Sequence, residues 1–136
     1  MSKYLICTCV YHDWDCLKAA LCDLGFAEGK IQFSEQTPQA LEGYHGDKRE
    51  EKAHLIIPRQ YVGHVSNDIG FIKESTGEIK TIISEFDQRT DFGETWQNKL
   101  TQYYAKHKMH KILKAKGMKW SERVNDKGEI CITVNA

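Results

Sequence analysis

Two hairpin turns constrain this chain more than any other feature of its sequence. The first is "TGE", between "DIGFIKES" and "IKTIISEF", and the second is "NDKG", between "MKWSERV" and "EICITV". Short turns of this composition between apolar segments join neighbouring antiparallel strands. The sequence therefore predicts a sheet that is mostly antiparallel.

Two other segments have helical features. Asp13 is a suitable N-cap for apolar residues at helical spacing from Trp14 to Leu24, and Gly25 can end that helix. A second helix is predicted from Thr95 to Gly117. Lysines crowd its last turns, where the helix dipole favours positive charge.

The remaining apolar segments predict further strands. Tyr4 to Tyr11 follows a period of two, and "KIQFSE" is typical of a short strand. "AHLIIPRQYVG" begins a strand at Ala53, and Pro58 either places that strand at a sheet edge or ends it, because proline donates no ladder hydrogen bond. Residues 36–51 carry turn residues and show no long period.

These segments follow one another in the order β-α-β-β-β-β-α-β-β. We therefore expect an α+β fold with a mostly antiparallel sheet and two helices on one face. The chain has 136 residues, which fits one domain covering residues 1–136.

The cysteine and histidine patterns give little support for a metal site. The five cysteines include no CxxC pair, and their odd number is typical of free thiols. His107 and His110 are three residues apart, but the glutamate of an HExxH motif is absent. No apolar run approaches the about 18 residues of a membrane span. We expect a cytoplasmic protein with no membrane association, metal or cofactor.

Charge is distributed unevenly along the chain. Residues 1–94 contain 10 Lys and Arg against 16 Asp and Glu, whereas residues 95–136 contain 9 against 3. The basic segment 95–121 mixes lysines with tyrosines, a combination that nucleic-acid-binding proteins use, and its candidate contacts are Lys106, Lys108 and Lys111. The alternative is that this helix lies against an acidic face of the same protein.

Carboxylates form a second candidate site. Glu85 and Asp87 in "SEFD" would share one face of a strand, and if they meet Asp68 or His45 in a cleft, metal-assisted hydrolysis is chemically feasible. The alternative is that Asn67 and Asp68 stabilise a turn through side-chain hydrogen bonds and that the other two acids lie at a solvated strand end.

The segment from Gly43 to Asp87 resembles a known family. Its motifs here are "GYHGDKR", "YVGHVSNDIGF" and "IISEFD", followed later by "LTQYYAKH". The family is an uncharacterised hypothetical chloroplast reading frame, with plastid, cyanobacterial, other bacterial and phage members and a domain of unknown function. This chain departs from its pattern at Tyr103, where members usually have arginine, and at Pro58.

The resemblance implies an accessory role, and it supplies no established activity, cofactor or substrate. Bacterial members often belong to gene clusters that contain an AAA-type ATPase, which implies an accessory or adaptor protein in a bacterium or phage. We therefore expect a non-enzymatic protein that docks a protein partner, with the hydrolase and the nucleic-acid binder as alternatives. The expected binding residues are Tyr44, Asp47, Arg49, Asn67, Asp68, Glu85, Asp87 and Tyr104.

Overall fold

The computed structural model describes residues 3–135. Within that range the chain forms nine strands, four α-helices and one 3-10 turn at Glu28–Lys30. The strands are β1 Tyr4–Tyr11, β2 Gln32–Phe33, β3 Gln39–Glu42, β4 Lys48–Ala53, β5 Leu55–Ile57, β6 Ile69–Lys73, β7 Ile79–Ser84, β8 Lys119–Val124 and β9 Ile130–Asn135. The helices are α1 Trp14–Asp23, α2 Arg59–Val62, α3 Glu85–Arg89 and α4 Glu94–Ala115.

A five-stranded sheet with the order β1-β7-β6-β5-β2 forms the centre of the molecule. All four of its strand pairs are antiparallel. The hairpins β3–β4 and β8–β9 form two further antiparallel sheets of two strands each. The predicted α+β fold with a mostly antiparallel sheet is therefore confirmed, as are both hairpins that the turn signals predicted.

Both long helices pack on the same face of the central sheet. The Asp13 side chain accepts a hydrogen bond from the Cys16 backbone nitrogen at 3.1 Å and so caps α1, and Gly25 follows the helix with a φ of 96°. Leu17 and Leu21 of α1 and Leu100 of α4 are fully buried. They belong to one apolar cluster with residues from β1, β5, β6 and β7. The two helices form the outer layer on this side.

The β3–β4 hairpin covers the opposite face of the sheet. Leu41 and Ala53 from the hairpin form a second apolar cluster with Tyr4, Ile56 and Ile82 of the central sheet. Gly70 of β6 lies directly beneath them, because a Cβ atom at this position would be 2.7 Å from the Ala53 Cβ. Hairpin, sheet and helices therefore form three layers.

The structure differs from the predicted order in the middle of the chain. Six strands separate the two long helices instead of four, because residues 36–51, which we expected to be irregular, contain β3 and most of β4. The strand predicted from Ala53 is divided: Ala53 ends β4, β5 runs from Leu55 to Ile57, and Pro58 then precedes the short helix α2. Among the described residues, no helix combines the length and apolar character needed to cross a bilayer.

Candidate functional site

Asp68 is buried at the start of β6, and both of its carboxylate oxygens accept backbone hydrogen bonds. Oδ1 accepts from the Arg59 nitrogen at 2.7 Å, and Oδ2 accepts from the Glu42 nitrogen at 2.8 Å. The Asp68 nitrogen donates to the Glu42 carbonyl at 2.9 Å. Asp68 therefore joins the start of α2 to the end of β3.

Asn67 makes a second set of connections beside it. Its Oδ1 accepts from the Tyr44 backbone nitrogen at 2.8 Å, while its own backbone nitrogen donates to Asp87 Oδ2 at 3.1 Å. Its Nδ2 donates to Ser84 Oγ at 3.0 Å. This buried amide therefore links the turn of the β3–β4 hairpin to the start of α3.

Glu85 and Asp87 lie on the helix α3 and not on a strand, so that part of the prediction is wrong. Ser84 ends β7 and caps α3, because its Oγ accepts from the Asp87 nitrogen at 3.1 Å and donates to Asp87 Oδ2 at 2.7 Å. Asp87 is fully buried, whereas Glu85 lies 4.0 Å from the Lys3 amine near the surface.

The carboxylates of Asp68, Glu85 and Asp87 therefore have separate partners. Across residues 3–135, no group of three or more His, Cys, Asp or Glu residues is arranged to hold a metal ion. His45 is exposed, and its ring packs 4.8 Å from the Tyr44 ring. Among the described residues, the structure therefore offers no ligand cluster that supports the metal-assisted alternative.

We call the buried residues Asn67, Asp68, Ser84 and Asp87 the polar layer. Tyr4 and Arg49 lie beside it. The Tyr4 hydroxyl donates to the Asp68 carbonyl at 2.8 Å, and the Arg49 guanidinium lies 5.2 Å from the centre of the Tyr4 ring. Arg49 also lies 3.6 Å from the Asp47 carboxylate. Burial, followed by the nearby Asp68 carboxylate, raises the pKa of Tyr4 well above its ordinary value, so this hydroxyl keeps its proton and remains a donor.

Two opposing effects act on the Asp68 carboxyl group. Burial is the larger effect and raises its pKa, whereas the N–H groups of Glu42 and Arg59 lower it, and the net direction is upward. Because both carboxylate oxygens accept from fixed N–H donors, the geometry is that of a structural acceptor. Each oxygen of Asp68 thus has a hydrogen-bond partner within the protein.

The buried pair Asn67 and Asp68 supports several exposed side chains at one end of the sheet. Tyr44 follows β3, Tyr61 lies on α2, and Val65 precedes Asn67 in the chain; they are 44%, 38% and 42% exposed. His45 and His64 are exposed in the same segments. We call this group the aromatic end: Tyr44, His45, Tyr61, His64 and Val65.

The sequence analysis named Tyr44 as a binding residue and His45 only as a possible member of the carboxylate site. It missed the other residues of the aromatic end. Tyr61 and His64 lie in "PRQYVGHVSND", which follows a strand predicted to extend at least as far as Pro58. The proline was the available signal, because a strand that ends there leaves the following residues free to form a surface segment. Ser84 was also missed, although a signal was present: in "SEFD" an acidic residue follows the serine at the third position, which is a local pattern of a helix N-cap.

The basic helix faces acidic residues of its own chain. Lys106 and His107 lie 3.2 and 2.6 Å from Asp23 Oδ2, and Lys108 and Lys111 lie 3.8 and 2.5 Å from Asp13 Oδ2. Burial raises the pKa of Asp13, but hydrogen bonds from Lys111 and the Cys16 nitrogen outweigh it and lower the pKa to about 2. The three lysines proposed for nucleic acid thus hold α4 against α1.

Tyr104, another predicted binding residue, also has a structural position. Its hydroxyl oxygen accepts hydrogen bonds from the backbone nitrogens of His12 and Asp13, both at 3.0 Å. Its ring lies 4.8 Å from the Tyr11 ring. Tyr104 therefore attaches α4 to the junction between β1 and α1.

Comparisons with known proteins agree with the resemblance to an uncharacterised family. A family model described as a protein of unknown function, DUF1257, matches residues 20–133. No curated protein matches the chain, and no solved structure does. The match covers the β3–β4 hairpin, most of the β8–β9 hairpin, the buried pair Asn67 and Asp68 and all five residues of the aromatic end.

Proposed function

This chain belongs to the DUF1257 family, and we propose that it is a small non-enzymatic adaptor that docks a protein partner through its aromatic end. One observation carries the proposal. The adjacent buried residues Asn67 and Asp68 accept backbone hydrogen bonds from three surface positions, at Glu42, Tyr44 and Arg59. The turn that carries Tyr44 and the short helix α2 that carries Tyr61 are thereby attached to buried side chains.

This fixation favours binding because it lowers the entropy lost on association. A loop that is ordered before binding loses less freedom when a partner docks, so more of the contact energy appears as affinity. The Gly43–Asp47 turn is also tightly packed, since a Cβ at Gly43 would lie 2.7 Å from both Asp47 and Arg49. Such a turn presents Tyr44 in a defined position.

The exposed residues have the chemistry of a protein interface. Tyrosine is enriched among interface residues that carry most of the binding energy, because its ring buries a large area and its hydroxyl can form hydrogen bonds. The aromatic end has two tyrosines with 44% and 38% of their surface exposed, and the Tyr44 ring is supported by His45 at 4.8 Å.

The acidic residues favour an adaptor over a hydrolase. Both Asp68 oxygens are occupied by backbone donors, and Asp87 Oδ2 accepts from Asn67 and Ser84. A catalytic carboxylate needs access to the proton or metal that it serves. These two carboxylates support the surface loops instead. The AAA-type ATPase implied by the family resemblance is the partner class that we would test first.

Site-specific photo-crosslinking in the producing cell tests this proposal. A benzophenone amino acid replaces Tyr44, and the matched control places the same group at Gln36, an exposed position near the opposite end of β3. We expect a discrete protein adduct from position 44, identifiable by mass spectrometry, that is absent from position 36. Loss of that adduct on Tyr61→Ala would show that both tyrosines contact the same partner.

Two results would contradict the proposal. One is the same set of adducts from positions 36 and 44, which would indicate random collision. The other is the absence of a protein adduct at position 44 when the variant is folded and present at normal levels. An adduct with nucleic acid at position 44 would also contradict it, because the partner at the aromatic end would then not be a protein.

A further inference from the structure

We propose that the outer edge of β1 is a homodimer interface, on which a second copy of this chain adds its own β1 in antiparallel orientation. Within residues 3–135, β1 is an end strand of the central sheet and pairs with β7 on one side. It contains 8 residues, longer than a typical strand. The backbone N–H and C=O groups of an end strand's outer side can pair with another strand.

The composition of β1 does not protect this edge. Native proteins block exposed edges with charges, prolines or very short strands. The segment "YLICTCVY" contains no charged residue and no proline. The other end strand, β2, has 2 residues and lies between Lys30 and Glu35, so it fits the usual protection. Of the two end strands of the central sheet, β1 is therefore the one whose composition leaves its edge open to association.

Exposure of side chains locates the contact. Leu5 is 37% exposed and Ile6 is 62% exposed. Successive residues of a strand point to opposite faces of the sheet, so neither face is fully covered at this point. Regular pairing with β7 runs from Tyr4 to Ile6 and shifts before Val10. The added strand is therefore centred on Ile6, the more exposed of the two, so that the Ile6 side chains of both copies lie next to each other at the two-fold axis.

A second copy fits this edge better than a charged partner does. In an antiparallel pair related by a two-fold axis, each β1 supplies the same donors, acceptors and apolar side chains to the other, so the surface is its own complement. Lys3, just before β1, and Glu85, just after β7, lie 4.0 Å apart with opposite signs. Because their charges cancel, two identical copies would not repel each other here. Joining the two five-stranded sheets at this edge produces one continuous sheet.

Analytical ultracentrifugation over a wide concentration range tests the interface. We expect the wild-type chain to form a dimer and Ile6→Lys to raise its dissociation constant about 100-fold or more, because like charges would meet across the two-fold axis. Val124→Lys is the matched control, since Val124 is 67% exposed and lies on β8. It should leave the dimer unchanged.

Mixing of variants separates a symmetric β1 contact from other causes. Ile6→Lys and Ile6→Glu should each be monomeric alone and should form a heterodimer when mixed, because opposite charges then face each other. Circular dichroism of each variant checks that the fold is intact. A wild-type chain that stays monomeric would overturn the proposal, and so would a dimer that Ile6→Lys leaves intact, or variants that fail to pair when mixed.

Discussion

The side-chain oxygen of Asn67 accepts a hydrogen bond from the backbone nitrogen of Tyr44 at 2.8 Å. Asn67 is 3% exposed and Tyr44 is 44% exposed, so a buried side chain fixes the backbone of a surface residue. The next residue, Asp68, does the same for Glu42 and Arg59. Two neighbouring buried side chains thus determine the shape of a surface formed by segments that are far apart in sequence.

Asp68→Asn should destabilise the fold although it changes few atoms. One of the two oxygens becomes an NH₂ group that faces a backbone N–H donor, and losing a buried hydrogen bond to a charged acceptor lowers the free energy of unfolding by about 2–3 kcal/mol. Urea denaturation measures the change. Asp91→Asn is the control, because Asp91 is exposed, and an equal effect from both substitutions would contradict the structural role of Asp68.

Asp13 should contribute to stability only above acidic pH. Its folded-state pKa is about 2 against an ordinary value of 3.8, so its ionised form stabilises the fold above about pH 4, and this contribution is lost as the pH falls from about 4 to 2. We expect a loss of about 1 kcal/mol, less than the pKa shift alone implies, because its lysine partners are exposed and screened.

The variant Asp13→Asn tests this assignment. Asparagine retains a side-chain oxygen for the Cys16 nitrogen but loses the charge that faces Lys108 and Lys111. Urea midpoints measured between about pH 2 and pH 5 should therefore change less in the variant than in the wild-type chain. Parallel curves for both proteins would show that other carboxylates cause the acid sensitivity.

Features controlled by neighbouring residues could be predicted from the sequence. The Asp13 cap, the end of α1 before Gly25 and the turn at Gly77 each depend on a few adjacent positions, and Gly25 and Gly77 adopt φ values of 96° and 92°. The prediction for the long helix, 95–117, differs from Glu94–Ala115 by one residue at its start and two at its end.

The β3–β4 hairpin could not be predicted because its apolar signal is sparse. The strand β4 reads "KREEKA", in which only Ala53 is buried, and β3 contributes Leu41. Charged and polar residues on the solvent side conceal a strand whose position depends on contacts with the sheet. Propensity and periodicity do not detect such a strand, since it is stabilised by tertiary packing.

The sequence predicted that Asn67 and Asp68 form side-chain hydrogen bonds, but it did not predict which groups they bind. The alternative in which Asn67 and Asp68 stabilise a turn by side-chain hydrogen bonds describes their chemistry correctly. Their side-chain oxygens, however, accept hydrogen bonds from the backbone nitrogens of Glu42, Tyr44 and Arg59, which are 26, 23 and 9 residues away in the sequence. Only the fold brings those nitrogens within reach, so no local pattern could identify them.

Tyr104→Phe should weaken the attachment of α4 to the β1–α1 junction. The substitution keeps the ring next to Tyr11 and removes the oxygen that accepts from His12 and Asp13, so we expect a loss of about 1–2 kcal/mol in unfolding free energy. Thermal or urea denaturation measures it. Tyr103→Phe, one position earlier and also half-buried, is the control, and equal losses at both positions would contradict a specific role for the Tyr104 hydroxyl.

Gly70→Ala should disturb the packing of the β3–β4 hairpin on the sheet. A Cβ at this position would lie 2.7 Å from the Ala53 Cβ and 2.9 Å from Leu41 Cδ2, distances that force the hairpin outward. Overpacking of this kind lowers the free energy of unfolding by about 1–3 kcal/mol. Hydrogen exchange should show faster opening of β3 and β4 than of β6 and β7. The double variant Gly70→Ala with Leu41→Val should recover part of the lost stability, because it removes one methylene group.

Gly29→Ala is the matched control, since a Cβ at Gly29 would meet no neighbouring atom within 4 Å. Unchanged exchange in β3 and β4 of the Gly70 variant would show that the hairpin does not depend on this contact.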